Sequence, residues 1–147
     1  MKSHFPAAQL FLRLALGISF VLPVLDRVGL LGLPGSPNVS WGNWQNFVAY
    51  TNTLLPFLDS SMASIMGAIA SIAELLFGLL LIIGYKTRLA AFGSFLLTLA
   101  FALCMMIFTG YRQPFSYSVY TASAASLLLS AVPFYKWSID QKLETKS

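Results

Sequence analysis

The chemistry that this chain could perform centres on one carboxylate, Glu74. It lies in the middle of an apolar stretch, SMASIMGAIASIAELLFGLLLIIG over residues 61–84, which has no other charged side chain. A carboxylate at the centre of a bilayer costs about 2.5–3.5 kcal/mol on insertion scales, and such residues usually face a partner or a hydrated cavity. Glu74 is therefore the first candidate for a group that relays a proton or bonds a ligand.

Arg13 is the cation that comes closest to Glu74 in expected membrane depth. Arg13 lies about six residues, and Glu74 about ten, from the same side of their apolar segments. At 1.5 Å per residue the two depths differ by roughly 6 Å, which an arginine side chain can reach. We therefore expect a direct or water-bridged pair. Two interpretations stay open, namely a structural pair that fixes helix register and a buried polar site that binds a head group or relays a proton.

Small and hydroxyl-bearing residues accompany Glu74. One helical face carries them at spacings of three and four: Gly67, Ala70, Ser71, Glu74 and Gly78. In the next apolar segment, Ser94 and Thr98 also repeat at a spacing of four. Close packing of helices is the favoured explanation, because small residues let helix backbones approach each other. A polar-lined cavity around Glu74 is the alternative.

A second polar group is expected at the outer mouth of the protein. It consists of Asp26, Arg27, Trp44 and Arg112, with Trp41 beside them. These side chains could close a lid by ion pairing or could be solvated, and solvation is the favoured interpretation.

Several kinds of reactive centre are excluded by what the sequence lacks. With one cysteine, Cys104, and one histidine, His4, the chain cannot build an internal disulfide, a CxxC pair, a zinc site or an iron–sulfur site. Serine-hydrolase, P-loop and metal-ligand patterns are missing as well. No metal site and no self-contained redox or hydrolytic centre is therefore predicted, and whether the protein is an enzyme stays open.

The composition is that of an integral membrane protein. Of 147 residues, 57% are hydrophobic and 10% are charged, with a mean hydropathy of +0.74. Soluble domains carry about 25% charged residues, and a small soluble fold could not bury so much apolar surface. The net charge of +4 comes without a basic run interleaved with aromatic residues, so no nucleic-acid partner is predicted.

The elements that must position these residues are all helical. Four apolar segments have near the roughly 20 residues that a spanning helix needs, at residues 7–25, 61–84, 89–109 and 115–133. Together they predict an all-α, integral membrane four-helix bundle in one domain over residues 1–147. In the outer loop between the first two segments, a short amphipathic interfacial helix is expected at residues 43–55, with Asn43 as N-cap. Residues 138–147 are expected to form a short, frayed polar tail.

Orientation follows from the placement of lysine and arginine. One side carries Lys2, Lys86, Arg88, Lys136, Lys142 and Lys146, whereas the other carries Arg27 and Arg112. Because cytoplasmic loops carry the excess of these residues, both termini are expected in the cytoplasm of a multi-pass protein of the cytoplasmic (inner) membrane.

Three stretches, taken together, resemble a known family. They are LRLALG at residues 12–17, AELLFG at residues 73–78 and LIIGYKTRLAA at residues 81–91. The combination resembles the DoxX/DoxD-like family of small four-helix membrane proteins, over roughly residues 8–135. Arg13, Glu74 and Arg88 are the polar positions that match. From position alone, a membrane anchor is the favoured interpretation of Arg88.

The resemblance implies a function connected with redox chemistry. Some members resemble a subunit of an archaeal thiosulfate:quinone oxidoreductase, and others are implicated in membrane complexes with redox or thiol-stress partners. The fold also resembles the four-helix bundle of quinone-reducing thiol oxidoreductases. This chain lacks the paired cysteines that disulfide generation needs, so that activity is not expected.

The leading hypothesis is a membrane subunit or accessory of an oxidoreductase system that binds a quinone or another amphipathic small molecule. No cofactor other than a quinone is suggested. The candidate ligand-binding residues are Arg13, Ser71, Glu74, Arg88, Ser94 and Thr98. The expected partners are the lipid bilayer, a soluble or membrane oxidoreductase and, through the small-residue faces, a second copy of the chain.

Two alternatives belong to other functional classes. In the first, the protein is a structural or assembly component without catalysis, and the buried charges only hold helices together. In the second, weaker alternative, it is a small transporter or a lipid isomerase that uses Glu74 as acid and base.

Overall fold

Seven helices make up the part of the chain that the structure, a computed structural model, describes, which is residues 5–145. Lys2, His4 and Lys146 lie outside it. The helices are α1 Phe5–Arg27, α2 Trp44–Leu54, α3 Ser60–Ile83, α4 Thr87–Phe108, α5 Gln113–Ser116, α6 Val119–Ser130 and α7 Ile139–Glu144. No strand occurs among these described residues. The predicted all-helical membrane bundle is confirmed.

Three helices, α1, α3 and α4, are long and apolar enough to cross a membrane. The fourth apolar segment is broken rather than continuous. α5 ends at Ser116, Ser118 has a left-handed backbone with φ of 54°, and α6 then runs for 12 residues. Twelve helical residues span about 18 Å, less than the roughly 30 Å of a hydrocarbon core. The fourth helix is therefore shorter than predicted, because the left-handed residue interrupts it.

The helices pack as two close pairs, α1 with α3 and α4 with α6, joined through contacts between α3 and α4. Gly17 and Gly78 allow the first pair to approach closely, since a Cβ on Gly17 would lie 2.8 Å from the Gly78 carbonyl oxygen. Between the pairs lies an apolar core of Leu16, Phe20, Leu81, Ala90, Ala91, Leu129, Val132 and Tyr135. These contacts fix the register between α1 and α3, on which the position of the polar residues depends.

The helix expected in the long loop is present as α2. Asn43 caps it as predicted, because its side-chain oxygen accepts from Asn46 N at 2.8 Å. α2 packs on the first half of α3, where a Cβ on Gly67 would lie 2.9 Å from the ring of Phe47. The position of α2 at a membrane surface stays a prediction.

The segment after α6 folds back over the turn between α3 and α4 instead of fraying. The carboxylate of Asp140 accepts from Lys86 N at 2.7 Å and from Thr87 N at 2.8 Å, and Asp140 N donates to Gly84 O. A carboxylate at this position accepts hydrogen bonds from free N–H groups and interacts favourably with the positive end of the α4 dipole. The expectation of a frayed tail is therefore wrong for residues 138–145.

Candidate functional site

Glu74 forms a buried ion pair with Arg27, not with Arg13. Arg27 Nη1 donates to Glu74 Oε2, and both side chains are only 6% exposed. The expected pairing with Arg13 is wrong because α1 continues past Pro23 to Arg27, and because Arg13 lies beside Gly84, which follows the last residue of α3. The last turn of α1 therefore lies beside the middle of α3, whereas Arg13 lies beside its far end.

The surroundings of the pair are polar on one side and aromatic on the other. Arg27 Nη1 also donates to Ser71 Oγ at 2.8 Å. The Arg27 guanidinium carbon lies 4.1 Å from the ring centre of Phe47 and 5.2 Å from that of Trp41, both within cation–π range. We call these five residues, Arg27, Trp41, Phe47, Ser71 and Glu74, the Arg27 site.

One donor in the Arg27 site has no partner within the described chain. Arg27 Nε is buried and donates to no protein atom of residues 5–145. An unpaired buried N–H costs about 1–3 kcal/mol, so such a group is normally bonded to a water or a ligand. The site therefore has a free hydrogen-bond donor beside a carboxylate and two aromatic rings.

Asp26 holds the long loop over the Arg27 site. One of its carboxylate oxygens accepts from Ser40 N at 2.9 Å and Trp41 N at 3.1 Å, and the other accepts from Gly42 N at 3.1 Å. These bonds place Trp41 above the neighbouring Arg27. The favoured expectation of solvation is wrong for Asp26 and Arg27, because as whole residues they are only 4% and 5% exposed.

The other two outer-mouth residues lie apart from the ion pair. Trp44 Nε1 donates to Ser64 Oγ at 3.0 Å and so attaches α2 to α3, and Arg112 is exposed before α5. Tyr50, on α2, has its ring 5.9 Å from that of Trp41. Burial raises the pKa of the Tyr50 phenol, and the nearby Tyr117 raises it further, whereas the charge of Arg27 lowers it.

Arg13 belongs to the opposite end of the bundle. Its Nη2 donates to the carbonyl oxygen of Trp137 at 2.8 Å, and one turn earlier Gln9 Nε2 donates to that of Lys136 at 2.9 Å. A Cβ on Gly84 would lie 2.8 Å from Arg13 Nη1, so the glycine makes room for the guanidinium. Arg13 therefore ties α1 to the C-terminal segment.

The remaining predicted ligand-binding residues do not form one site together with Arg13 and Glu74. The hydroxyls of Ser94 and Thr98 donate within α4, to Ala90 O at 2.8 Å and Ser94 O at 2.7 Å. Both residues are buried against the neighbouring helices. Arg88 lies at the same end as Arg13 and donates to Val132 O at 3.2 Å. Ser71 is the one further candidate that the structure brings into contact with the ion pair.

Sequence reasoning missed the correct partner of Glu74 and the role of Phe47. A signal for the partner exists in the two glycines of the close helix pair. Ten residues after Gly17 is Arg27 and ten before Gly78 is Ala68, so aligning the glycines places Arg27 within side-chain reach of Ser71. No comparable signal identifies Phe47, because its contact depends on how the irregular loop returns.

Comparison with known proteins gives one finding. No curated protein and no solved structure matches the chain. The model of the DoxX family matches residues 8–112, which include all but the first three residues of α1, all of α2 to α4 and every residue of the Arg27 site. The match covers most of the chain, and the chain therefore belongs to the DoxX family.

Proposed function

We propose that this protein is a membrane subunit or accessory of an oxidoreductase system, and that it binds a quinone or a similar amphipathic carbonyl compound at the Arg27 site. The observation that carries the proposal is the buried Nε of Arg27, which has no partner among residues 5–145 and lies next to Glu74 and two aromatic rings. This combination matches a flat ring with polar oxygens better than it matches a purely apolar lipid chain.

Each group has a part in binding. Arg27 Nε donates to one carbonyl oxygen of the quinone. It donates in the same way to a hydroxyl oxygen of the quinol, because that oxygen still has free lone pairs. Glu74 accepts from a quinol hydroxyl or relays its proton, while Arg27 keeps the carboxylate oriented. The rings of Trp41 and Phe47 offer stacking surface. The electrons come from a partner protein, because the chain has one cysteine and therefore no cysteine pair that could carry them.

The proposal includes a location and partners. We place the protein in the cytoplasmic membrane with both termini in the cytoplasm, following the distribution of lysine and arginine. The Arg27 site then faces the outer half of the bilayer. The electron-donating partner is a soluble or membrane oxidoreductase, and a second copy of the chain is a further proposed partner.

The test is ligand retention by the full chain. The protein is purified from its native membrane in mild detergent, and bound small molecules are extracted and identified by mass spectrometry. We expect a quinone in the wild type and at least a tenfold loss in Glu74→Gln. Asp59→Asn is the matched control, because Asp59 is a carboxylate that only caps α3. Equal quinone retention in wild type and Glu74→Gln would show that the site is not a ligand site.

A second candidate function is supported by a different observation. Arg27, Glu74 and Ser71 already satisfy one another in part, as in a purely structural pair. In that case the protein is an assembly component, and its partner does the chemistry. Replacing Arg27 and Glu74 together with leucine would then leave the partner complex and any bound quinone unchanged, whereas the quinone-site proposal predicts that the complex loses its quinone.

A further inference from the structure

A cleft opens at the end of the bundle opposite the Arg27 site. Its volume is about 380 Å³. It lies between the start of α4 and the C-terminal segment that folds back over it. The residues that line it are Lys86, Thr87, Arg88, Leu89, Pro133, Tyr135, Asp140, Leu143 and Glu144.

The cations at the cleft are Lys86 and Arg88, and the carboxylates there are Asp140 and Glu144. Lys86 and Arg88 are both exposed. Arg88 is held in place, because its Nη2 donates to Val132 O at 3.2 Å. The ammonium of Lys86 lies 5.8 Å from the ring centre of Tyr85. An arginine that is already positioned loses less conformational entropy when it binds an anion.

The carboxylate of Asp140 does not oppose these cations directly. Its two oxygens accept from the backbone N–H groups of Lys86 and Thr87, so it is directed at the start of α4. The backbone N–H groups of Lys86 and Thr87 are thereby already used. An anion in the cleft would bind to the side chains of Lys86 and Arg88.

An apolar strip leads away from the cleft along α4. Leu89, Phe92 and Leu96 are 68%, 45% and 50% exposed, and their spacing of three and four places them on one helical face. The strip begins at the cleft and continues along a helix that is long and apolar enough to cross a membrane. The cations of the cleft match the charged head group of a phospholipid, and the apolar strip that begins there matches its acyl chain.

We propose that the cleft binds a glycerophospholipid of the adjacent leaflet as a specific site. Lys86 and Arg88 contact the phosphodiester, and one acyl chain runs along Leu89, Phe92 and Leu96. This site is separate from the Arg27 site and does not depend on the proposed quinone function. It gives Arg88 a role in addition to its bond to Val132 O.

The test uses the full chain, delipidated in detergent, with three soluble probes. They are dihexanoyl-phosphatidylglycerol, dihexanoylglycerol, which lacks the phosphate, and inorganic phosphate. Binding is measured by native mass spectrometry and by the shift in melting temperature. We expect binding of the phospholipid alone, and about tenfold weaker binding in Lys86→Gln, since one charge-assisted hydrogen bond is lost.

The matched control is Lys142→Gln. Lys142 is exposed at the same end but does not line the cleft, so this variant loses the same charge and should bind the phospholipid like the wild type. Equal weakening in both variants would mean general charge attraction and would overturn the proposal. Binding of dihexanoylglycerol or of inorganic phosphate as tightly as the phospholipid would overturn it too, since each probe lacks one of the two parts.

Discussion

Arg27 and Glu74 are 47 positions apart in the chain, yet their side chains form an ion pair inside the helix bundle. Arg27 is the last residue of α1, and Glu74 is near the middle of α3. The guanidinium at the end of α1 thus pairs with a carboxylate near the middle of α3, because α1 packs along only part of α3. α2 packs against the first part of α3 and completes its cover.

The first prediction concerns the energy of this pair. Arg27→Leu and Glu74→Leu should each destabilise the protein by about 3–5 kcal/mol, since each leaves a buried charge without its partner. The double variant should recover most of this loss, because two apolar side chains replace the pair. The measurement is the free energy of unfolding in detergent for the wild type and the three variants.

A second double variant provides the control. Arg13→Leu combined with Glu74→Leu should show no recovery, because Arg13 donates to Trp137 O and not to Glu74. Distant sites with no shared partner add their effects within about 0.3–0.5 kcal/mol. Recovery in this variant, and none in Arg27→Leu with Glu74→Leu, would contradict the pairing.

The second prediction concerns the loop that Asp26 holds. Asp26→Ala should release the loop, because three backbone N–H groups at Ser40, Trp41 and Gly42 lose their acceptor. Hydrogen exchange of these amides should become at least tenfold faster, and the emission of Trp41 should change. Asp59→Ala is the control and should affect only the start of α3. Unchanged exchange in Asp26→Ala would show that other contacts hold the loop.

The third prediction concerns the close approach of α1 and α3. Gly78→Ala should destabilise the protein by about 1–3 kcal/mol, the usual effect of overpacking. The added Cβ would lie 2.9 Å from the carbonyl oxygen of Gly17, and a backbone atom cannot move aside easily. The measurement is the melting temperature in detergent. Ala100→Val, which adds volume at an exposed position of α4, should leave it nearly unchanged.

The fourth prediction concerns the docking of the C-terminal segment. Asp140→Ala should free this segment, because the amides of Lys86 and Thr87 lose their acceptor and the start of α4 loses its cap. Loss of a cap costs about 1 kcal/mol. We expect faster proteolysis after Lys136 and faster exchange of the two amides. A Lys142→Ala control should match the wild type, and identical cleavage rates for both variants would argue against this docking role.

The helices themselves could be predicted because their signal is local. Hydropathy locates α1, α3 and α4 to within a few residues, and the cap of α2 follows from Asn43. The small-residue face around Glu74 is also local, since it depends only on helical spacing. Gly67, Ser71 and Glu74 are indeed buried together on α3.

The pairing of charges could not be predicted in the same way, because it depends on register between helices. The first apolar segment was predicted to end at residue 25, whereas α1 continues through Pro23 to Arg27. Arg27 therefore lies buried inside the bundle and not at the aqueous mouth where it was expected. The break at Ser118 and the return of Asp140 to α4 likewise arise from contacts between distant parts of the chain.

The bond from Arg13 to Trp137 O has a consequence for the order of synthesis. α1 leaves the ribosome first, but the acceptors of its Gln9 and Arg13 side chains are the carbonyls of Lys136 and Trp137, made more than a hundred residues later. Until then Arg13 is a cation in an apolar helix without its final partner. A product that stops before residue 136 lacks both carbonyl acceptors, so the Gln9 and Arg13 side chains lose the hydrogen bonds that tie α1 to the C-terminal segment.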